Sequence, residues 1–349
     1  MMRHFQKAFV LVTTLWILAI LTIAASFFAL WTQRTVALVQ ANQDDVEGEL
    51  DMLSTQASLI YLLTTQRMTI AGLTLPKDET TEDPADEFNT KNSFWGEDSI
   101  LSKGGELAVD DRPYLGYGKA YFALQDEAGL LGINLVSDPI IIRFLGLLGV
   151  DDDLQGPLIA KFKDYIDPDD LHRLNGAEAH HYEKRGLRPP SNHYLINPME
   201  IKRIFDWADQ PSLWENDRLG QLTNTVLGAL PNFNTAPSLV LQAVFNMTPE
   251  NAERMIQIRQ SIPFYSLNTV NQIGGVNLNM DPVDLNFFPS YYLRLTLWYE
   301  GAQRMRQVHL QLTHRADGLK PWQVEYSLEQ QLLPSYTQTP PSRTRSILF

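Results

Sequence analysis

The 349-residue sequence contains no cysteine. That excludes disulfides, thiolate metal ligands and a cysteine nucleophile. Basic residues are also scarce, with 28 Lys and Arg against 41 Asp and Glu and a formal net charge of −13. A chain this acidic is short of the positive surface that a phosphate backbone requires, which argues against nucleic acid as a partner. No nucleophile elbow, phosphate-binding glycine loop or zinc-ligand spacing occurs, so no catalytic residues are assigned and an enzyme is not expected. Apolar residues make up 44% and charged residues 20%, enough for one large core or two smaller ones.

One stretch lacks charge altogether. Between Lys7 and Arg34 runs AFVLVTTLWILAILTIAASFFALW, whose polar groups are Thr13, Thr14, Thr22 and Ser26. As a helix it would reach about 36 Å, against a bilayer core of about 30 Å. A cleaved secretory signal would have a shorter apolar region ending in a small-residue site. Here Phe27, Phe28, Leu30 and Trp31 follow the small cluster Ala24-Ala25-Ser26, so a retained single-pass anchor is expected. Arg3 and Lys7 precede the run, and Asp44, Asp45, Glu47, Glu49 and Asp51 follow it. The positive-inside rule then places the N-terminus in the cytoplasm and the body in the periplasm, outside the inner membrane.

Gln33 to Thr74 stays helix-compatible, with Val46, Leu50, Leu53, Ile60 and Leu63 spaced to pack one face. The stretch PKDETTEDPADEFNTKN that follows reads as an exposed acidic loop. Tyr121 to Leu124 can form a strand, leading into a tight turn around Asp126, Glu127, Gly129, Gly132 and Asn134. From Asp138 to about Gly275 the pattern is helical, with amphipathic stretches at Ile140–Leu148, Leu158–Ile166 and Ile201–Trp207. Asn134–Val150 and Asn234–Met247 are loose copies: Asn, then Pro, then an apolar helix. The second has the look of a helix-hairpin-helix unit, but Asn246-Met247-Thr248 stands at its turn without basic neighbours, which favours packing or protein contact over phosphate binding.

Beyond Gly275 the period changes to two. Leu293, Leu295, Leu297 and Tyr299 form one set, Val308, Leu310 and Leu312 a second, and Trp322, Val324, Tyr326 and Leu328 a third. Turns at Glu300-Gly301 and Asp317-Gly318 make this an antiparallel meander. Pro334 to Phe349 reads as a flexible tail.

Between the two copies lies DYIDPDDLHRLNGAE, from Asp164 to Glu178. Several carboxylates in a short loop can offer hard oxygen ligands to calcium, although the spacing is not that of an EF-hand. The other reading is a helix end with capping acids. His180, His181 and His193 read as surface residues rather than a metal set.

Taken in order, these motifs resemble the K-type minor pseudopilins of type II secretion systems. The leader ending at QKA-F resembles a prepilin peptidase site, which implies cleavage between Ala8 and Phe9, with Ala8 standing where Gly is usual. Thr13 falls at the fifth mature position, where most pilins carry Glu. Its absence, with Thr14-Leu15-Trp16, resembles the tip subunit, although a tolerated polar residue in a lone anchor would look the same. The segment Asp126 to Asn134 resembles the family's D-E-x-G-x-x-N-x-N, and Asp164 to Glu178 its D-W-I-D-x-D followed by G-A-E. The resemblance implies possible calcium ligands at Asp167, Asp169, Asp170 and Glu178.

It also implies an α+β fold, a pilin-like long N-terminal helix packed on an antiparallel sheet with a large inserted helical domain. The divisions expected are a leader (1–8), a membrane segment (9–31), the rest of the helix with the loop and early strand (32–136), the insertion (137–275), the strands (276–333) and the tail (334–349). Implied partners are the I-type and J-type minor pseudopilins, the pseudopilus and the inner-membrane assembly platform, in export of folded proteins across the outer membrane. The alternatives are a membrane-anchored periplasmic nucleic-acid-binding protein with tandem helical modules, and an anchored hydrolase with an unrecognised site.

Overall fold

The computed structural model describes residues 6–76, 100–227, 231–278, 285–313, 320–344 and 349. It begins with one helix, α1 (Gln6–Thr65), 60 residues and about 90 Å long. Every large apolar side chain from Val10 to Val39 is exposed. Burial starts at Gly48 and continues through Met52, Thr55, Leu59, Leu62 and Leu63, three and four residues apart. The packing face expected from sequence is therefore corrected: Val46, Leu50 and Leu53 are 59%, 58% and 49% exposed. Both sides of this half of α1 are apolar, and periodicity alone cannot say which one faces the body. Gly48 does, because a Cβ there would lie 2.4 Å from the Tyr299 ring, so only this side lets the helix come so close.

The helix also ends at Thr65 rather than running to Thr74. A short hairpin follows, β1 (Met68–Thr69) and β2 (Gly72–Leu73). Gly72 has φ +131, and a Cβ there would sit 2.1 Å from the Leu107 carbonyl oxygen, so the turn admits only glycine. The acidic loop expected over 76–92 lies almost wholly outside the described residues. The chain resumes with β3 (Asp110–Leu115) and β4 (Ala120–Asp126), the latter taking in the expected Tyr121–Leu124 strand.

Next come β5 (Leu131–Gly132), α2 (Asp138–Leu147), α3 (Asp152–Ile166), α4 (Ala179–Lys184), α5 (Pro211–Trp214), α6 (Arg218–Leu222), β6 (Thr223–Asn224), α7 (Ser238–Phe245), α8 (Pro249–Arg259) and α9 (Leu267–Gly274). The expected third helical stretch, Ile201–Trp207, is instead the end of a 3-10 turn (Pro198–Arg203) and the bends after it. The core of this block runs from Leu131 to Leu285, wider than the expected 137–275.

The two loose copies are structural copies. The Asn134 amide accepts from Leu195 N (2.9 Å) and donates to the carbonyls of Leu195 and Thr225 (3.0 Å each). The Asn234 amide accepts from Phe264 N (2.8 Å) and donates to the carbonyls of Phe264 (2.7 Å) and Phe287 (2.9 Å). Two residues before each Asn the chain pairs in parallel with a distant strand, Gly132 with Asn224 and Asn232 with Asn286. Each copy then forms a helix, a left-handed residue (Gly149, φ 86; Asn246, φ 54) and a second helix. The second copy passes from α8 to Phe264 in a few residues, whereas the first spends 167–194 between α3 and Leu195. The acidic loop is thus an addition that the second copy lacks, although its Ala177 and Tyr182 are buried in the core of the block.

The chain returns to the sheet with β7 (Tyr292–Tyr299), β8 (Arg304–Leu312) and β9 (Trp322–Gln331), giving the order β3-β4-β7-β8-β9, antiparallel throughout. Leu293, Leu295, Leu297, Val308, Leu310 and Leu312 are buried in one core with Leu59, Leu62 and Leu63 of α1. The opposite face of β7 is buried as well, so Arg294, Thr296 and Trp298 are all enclosed. The single-face reading of β9 is corrected. His309 pairs with Tyr326 and Leu310 with Val324, which leaves Glu325 as a bulge. Tyr326 is thereby turned to the far face, stacked on His309 at 4.0 Å between ring centroids. The Glu300-Gly301 turn is present, with Gly301 at φ 83, while Asp317-Gly318 lies outside the described residues.

The described part of the stretch expected as a flexible tail, 334–344 and Phe349, is docked. In α10 (Pro334–Gln338), Tyr336 is buried against Trp298, and its hydroxyl donates to the Asp111 carboxylate at 2.9 Å. Ser342 then bridges to Tyr114 and covers the open edge of β3, and Phe349 packs on Phe122.

Candidate functional site

Three features could carry function: the stem, the collar that docks it, and the acidic loop. Ala8 and Phe9 lie within the helical backbone of α1. Thr13 donates through its hydroxyl to the Val10 carbonyl at 2.9 Å, and Thr14, Thr22 and Ser26 bond to their own helix in the same way. Polar groups satisfied within the helix suit a hydrocarbon surrounding. Among the described residues α1 is the one helix long and apolar enough to cross a membrane, and none of that apolar window is buried in the protein.

The acids after the apolar run form the collar. Lys119 bridges Asp44 (2.9 Å) and Glu47 (3.4 Å), and its backbone N–H donates to Asp51 (2.8 Å). Tyr299 donates to Asp45 (3.3 Å), and Arg306 bridges Glu49 (3.2 Å). Thr55 accepts from Tyr117 N at 2.9 Å. The residues that orient the helix on sequence grounds thus also tie it to the β3–β4 turn, β7 and β8. Exposed pairs of this kind are each worth little, about 0–1 kcal/mol, so the buried Gly48–Met52–Leu59 face supplies most of the docking energy.

The turn segment Asp126–Asn134 is a structural node, not a reactive centre. Asp126 Oδ1 accepts from Ala128 N (3.1 Å), Ser290 N (2.9 Å) and Ser290 Oγ (2.7 Å), and Oδ2 accepts from Asn232 Nδ2 (2.8 Å) and Thr235 Oγ1 (2.9 Å). Burial pushes its carboxyl above the usual range, although the donors from Ser290, Asn232 and Thr235 pull the other way. Every acceptor position is occupied by the fold itself. Glu127 next to it pairs with His309 at 2.6 Å, fixing the insertion to β8.

In the acidic loop the candidate ligands are only partly brought together. Asp169 accepts from Leu171 N at 2.9 Å within its own turn, and both Asp169 and Asp170 are exposed. Asp164, fully buried at the end of α3, accepts from Arg173 N (3.1 Å) and Arg173 Nη1 (2.7 Å). The same Nη1 contacts Asp167 Oδ2. Gly176 closes the loop tightly, since a Cβ there would lie 1.8 Å from Asp164 Oδ2. Glu178 is 1% exposed; its carboxylate faces the His181 backbone N–H as half of a capping box for α4 but, like Asp167 Oδ1, makes no well-formed hydrogen bond. Burial, followed by the charges of Asp164, Asp167, Asp170 and Asp169, pushes the Glu178 carboxyl up to about 7. Among the described residues no three acidic or imidazole groups converge as closely as a bound metal needs. The four expected ligands therefore do not form a set that fits a bound cation in this arrangement, with Asp169 and Asp170 exposed and Asp167 paired with Arg173.

Sequence reading missed Asp164 and Arg173 as members of this cluster. The i, i+3 spacing of Asp164 and Asp167 on the last turn of α3 was the available signal. His180 and His181 lie with ring centroids 3.8 Å apart and His172 5.6 Å from His181, whereas His193 bonds to the Tyr194 carbonyl. His181 accepts from Glu178 N through Nδ1, and burial next to the other histidines lowers its pKa, so it is a neutral cap for α4. At the two helix-hairpin turns, Asp151, Asp152 and Asp153 surround the first helix start and Glu250 lies in the second, the wrong charge for a phosphate contact.

The fold defines an α+β chain, in which a membrane-length apolar helix is docked by its far end onto an antiparallel sheet. No family model matches the chain, and no curated protein does. Among solved structures, a chain in the crystal structure of the GspK-GspI-GspJ complex from the type 2 secretion system of enterotoxigenic Escherichia coli is similar to it. The match covers 61% of this chain and 80% of that one, at 14% identity and a TM-score of 0.45. A likeness that slight carries no functional argument.

Proposed function

We propose that the chain is a minor pseudopilin of a type II secretion system, standing at the tip of the periplasmic pseudopilus with the I-type and J-type minor pseudopilins. The observation that carries this is the second apolar stripe of α1. Val46, Leu50, Leu53, Ala57 and Tyr61 are exposed along one line of the helix, on the side away from the buried Gly48–Met52–Thr55–Leu59 line. A lone anchor needs an apolar stem inside the bilayer, but not a greasy outer face on the half that is already docked to its own domain. A helix that packs among similar helices above the membrane needs both.

On this reading the leader is removed between Ala8 and Phe9, the inner membrane holds one span, the N-terminus is cytoplasmic and the body is periplasmic. Thr13 brings no carboxylate into the helix bundle. That suits a topmost subunit, because an unpaired acid in an apolar bundle is costly. The double helical module gives the subunit a bulk that a plain stem and sheet lack, which would hinder addition above it. The protein acts by assembly and not by catalysis. Calcium at Asp167, Asp169, Asp170 and Glu178 would require the loop to close further, because Asp169 and Asp170 are exposed and among the described residues no three acids converge. The nucleic-acid alternative is disfavoured by the acidic hairpin turns.

Co-purification of the full chain from detergent-solubilised membranes with the I-type and J-type subunits tests the proposal. The double variant Leu50→Glu/Leu53→Glu should lose both partners and stop export while unfolding at the wild-type midpoint, since both side chains are exposed. Retained partners and normal export in that variant would refute the assembly role of the stripe.

A further inference from the structure

The helical module and the sheet meet at a cleft of about 320 Å3 whose two walls differ in chemistry. The module contributes Tyr194, Leu195 and Ile196, of which Ile196 is 67% exposed and Tyr194 47%. This wall is held in place: Leu195 is tied through its N–H and its carbonyl to the Asn134 amide, and the Ile196 carbonyl accepts from Thr225 Oγ1 at 2.9 Å. The sheet contributes Tyr292, His309, Glu325 and Tyr326. The bulge at Glu325 is what turns Tyr326 to this side, stacked on His309. Such a bulge gives up ladder pairing to re-aim a side chain, and bulges of this kind collect next to binding sites. Charge in the cleft is one-sided. Glu127 is buried, and His309 is already paired with it. Glu325 is exposed, and its carboxylate accepts from Gln323 rather than pairing with a cation. Among the described residues that line the cleft there is no lysine or arginine.

We propose that this cleft takes a single arginine side chain presented by a partner protein. The inference stands apart from the pseudopilin reading and needs no metal. Three properties of the lining select a guanidinium. The apolar stem of arginine suits the Ile196 wall, where a long side chain can lie while its charged head points elsewhere. The planar, weakly hydrated head stacks on tyrosine faces, which Tyr194, Tyr292 and Tyr326 supply. Its fork of N–H donors matches the Glu325 carboxylate, which a lysine ammonium meets only as a point charge. An anion would instead face Glu127, Glu325 and a chain of net charge −13. The volume lies at the low end of ligand pockets, which suits one long side chain better than a cofactor. The surroundings favour a protein as its carrier. Ile196 and Leu135, the latter 54% exposed beside the lining residue Asn134, give the cleft an apolar margin. A buried arginine ringed by apolar contacts is a common anchor of protein interfaces, and a free small molecule would leave that margin uncovered.

The test is ligand-observed NMR relaxation with the full chain in detergent, using empty micelles as the blank. The probes are N-acetyl-arginine methylamide, its lysine and citrulline counterparts, and the peptide acetyl-Leu-Arg-Leu-amide. The arginine probe should bind with a Kd of about 1 mM, as expected for so few atoms. Citrulline keeps the shape without the charge and should bind at least about 5-fold more weakly, with lysine between them. The peptide should bind about 3- to 10-fold more tightly than the single residue, because its leucines cover the apolar margin. Glu325→Gln should weaken the arginine probe about 3- to 10-fold, and Ile196→Ser should remove the peptide's advantage. Both side chains are exposed, so both variants should unfold at the wild-type midpoint. Equal binding of citrulline and arginine, or no effect of Glu325→Gln, would overturn recognition of the cation. A peptide that gains nothing over the single residue would overturn the assignment to a partner protein and leave a small-molecule site. No binding of any probe at tens of millimolar would overturn the proposal outright.

Discussion

Replacing Asp126 by Ala should be among the most damaging single changes in this protein outside the apolar cores. The carboxylate gathers five donors from three places: Ala128 after β4, Asn232 and Thr235 at the start of the second copy, and Ser290 just before β7. In Asp126→Ala, two of these can re-aim, because the Thr235 and Ser290 hydroxyls rotate and Ser290 Oγ already lies 3.0 Å from the Tyr292 carbonyl. The backbone N–H groups of Ala128 and Ser290 and the Asn232 amide cannot. At about 1–3 kcal/mol for each stranded donor, less the relief of removing a buried charge, the loss should be about 3–5 kcal/mol. Asp126→Asn should cost less, about 1–3 kcal/mol, but not nothing. Its new NH2 would face the Asn232 amide, which cannot flip because its oxygen accepts from Asn234 N at 3.0 Å. Urea unfolding of the full chain in detergent, followed by tryptophan fluorescence at pH 7.5, measures both. A loss under 1 kcal/mol for Asp126→Ala would refute the node as described.

Other outcomes follow from the same contacts. Asn134→Ala and Asn234→Ala each remove three buried bonds of one pattern, so each should cost about 2–4 kcal/mol, similar to each other; paired unfolding curves check this. Gly48→Val should destabilise docking by about 1–3 kcal/mol, because the first added carbon already overlaps Tyr299, and the unfolding midpoint reads it. Glu178 is raised from an ordinary 4.5 to about 7, so the folded state keeps a proton that the unfolded chain releases between those values. Stability in chelator should therefore fall as pH rises from 4.5 to 7, and Glu178→Gln should flatten that slope in a pH series of unfolding midpoints.

Much of the architecture is legible in the residues. A charge-free run as long as Ala8–Trp31 has few other uses than a membrane stem, and period-two alternation at Leu293–Leu297 and Val308–Leu312 has few other solutions than a sheet. The Asn-to-helix copies were visible too, since an Asn just ahead of an apolar helix is a local signal. What escaped depends on contacts made far away in sequence. Which side of α1 faces the body is settled by Tyr299 against Gly48, roughly two hundred and fifty positions apart. The Glu325 bulge is set by its pairing with β8, and the fate of the tail by Asp111 and Phe122. In the acidic loop the individual carboxylates were recognisable, but Arg173 joins them only once Gly176 folds the loop back over Asp164.

The proposed pseudopilin role requires the leader to be removed, and N-terminal sequencing of protein extracted from membranes reads that directly. A mature chain beginning at Phe9 is the result expected. An intact Met1, or a start beyond Ala25, would contradict the assignment.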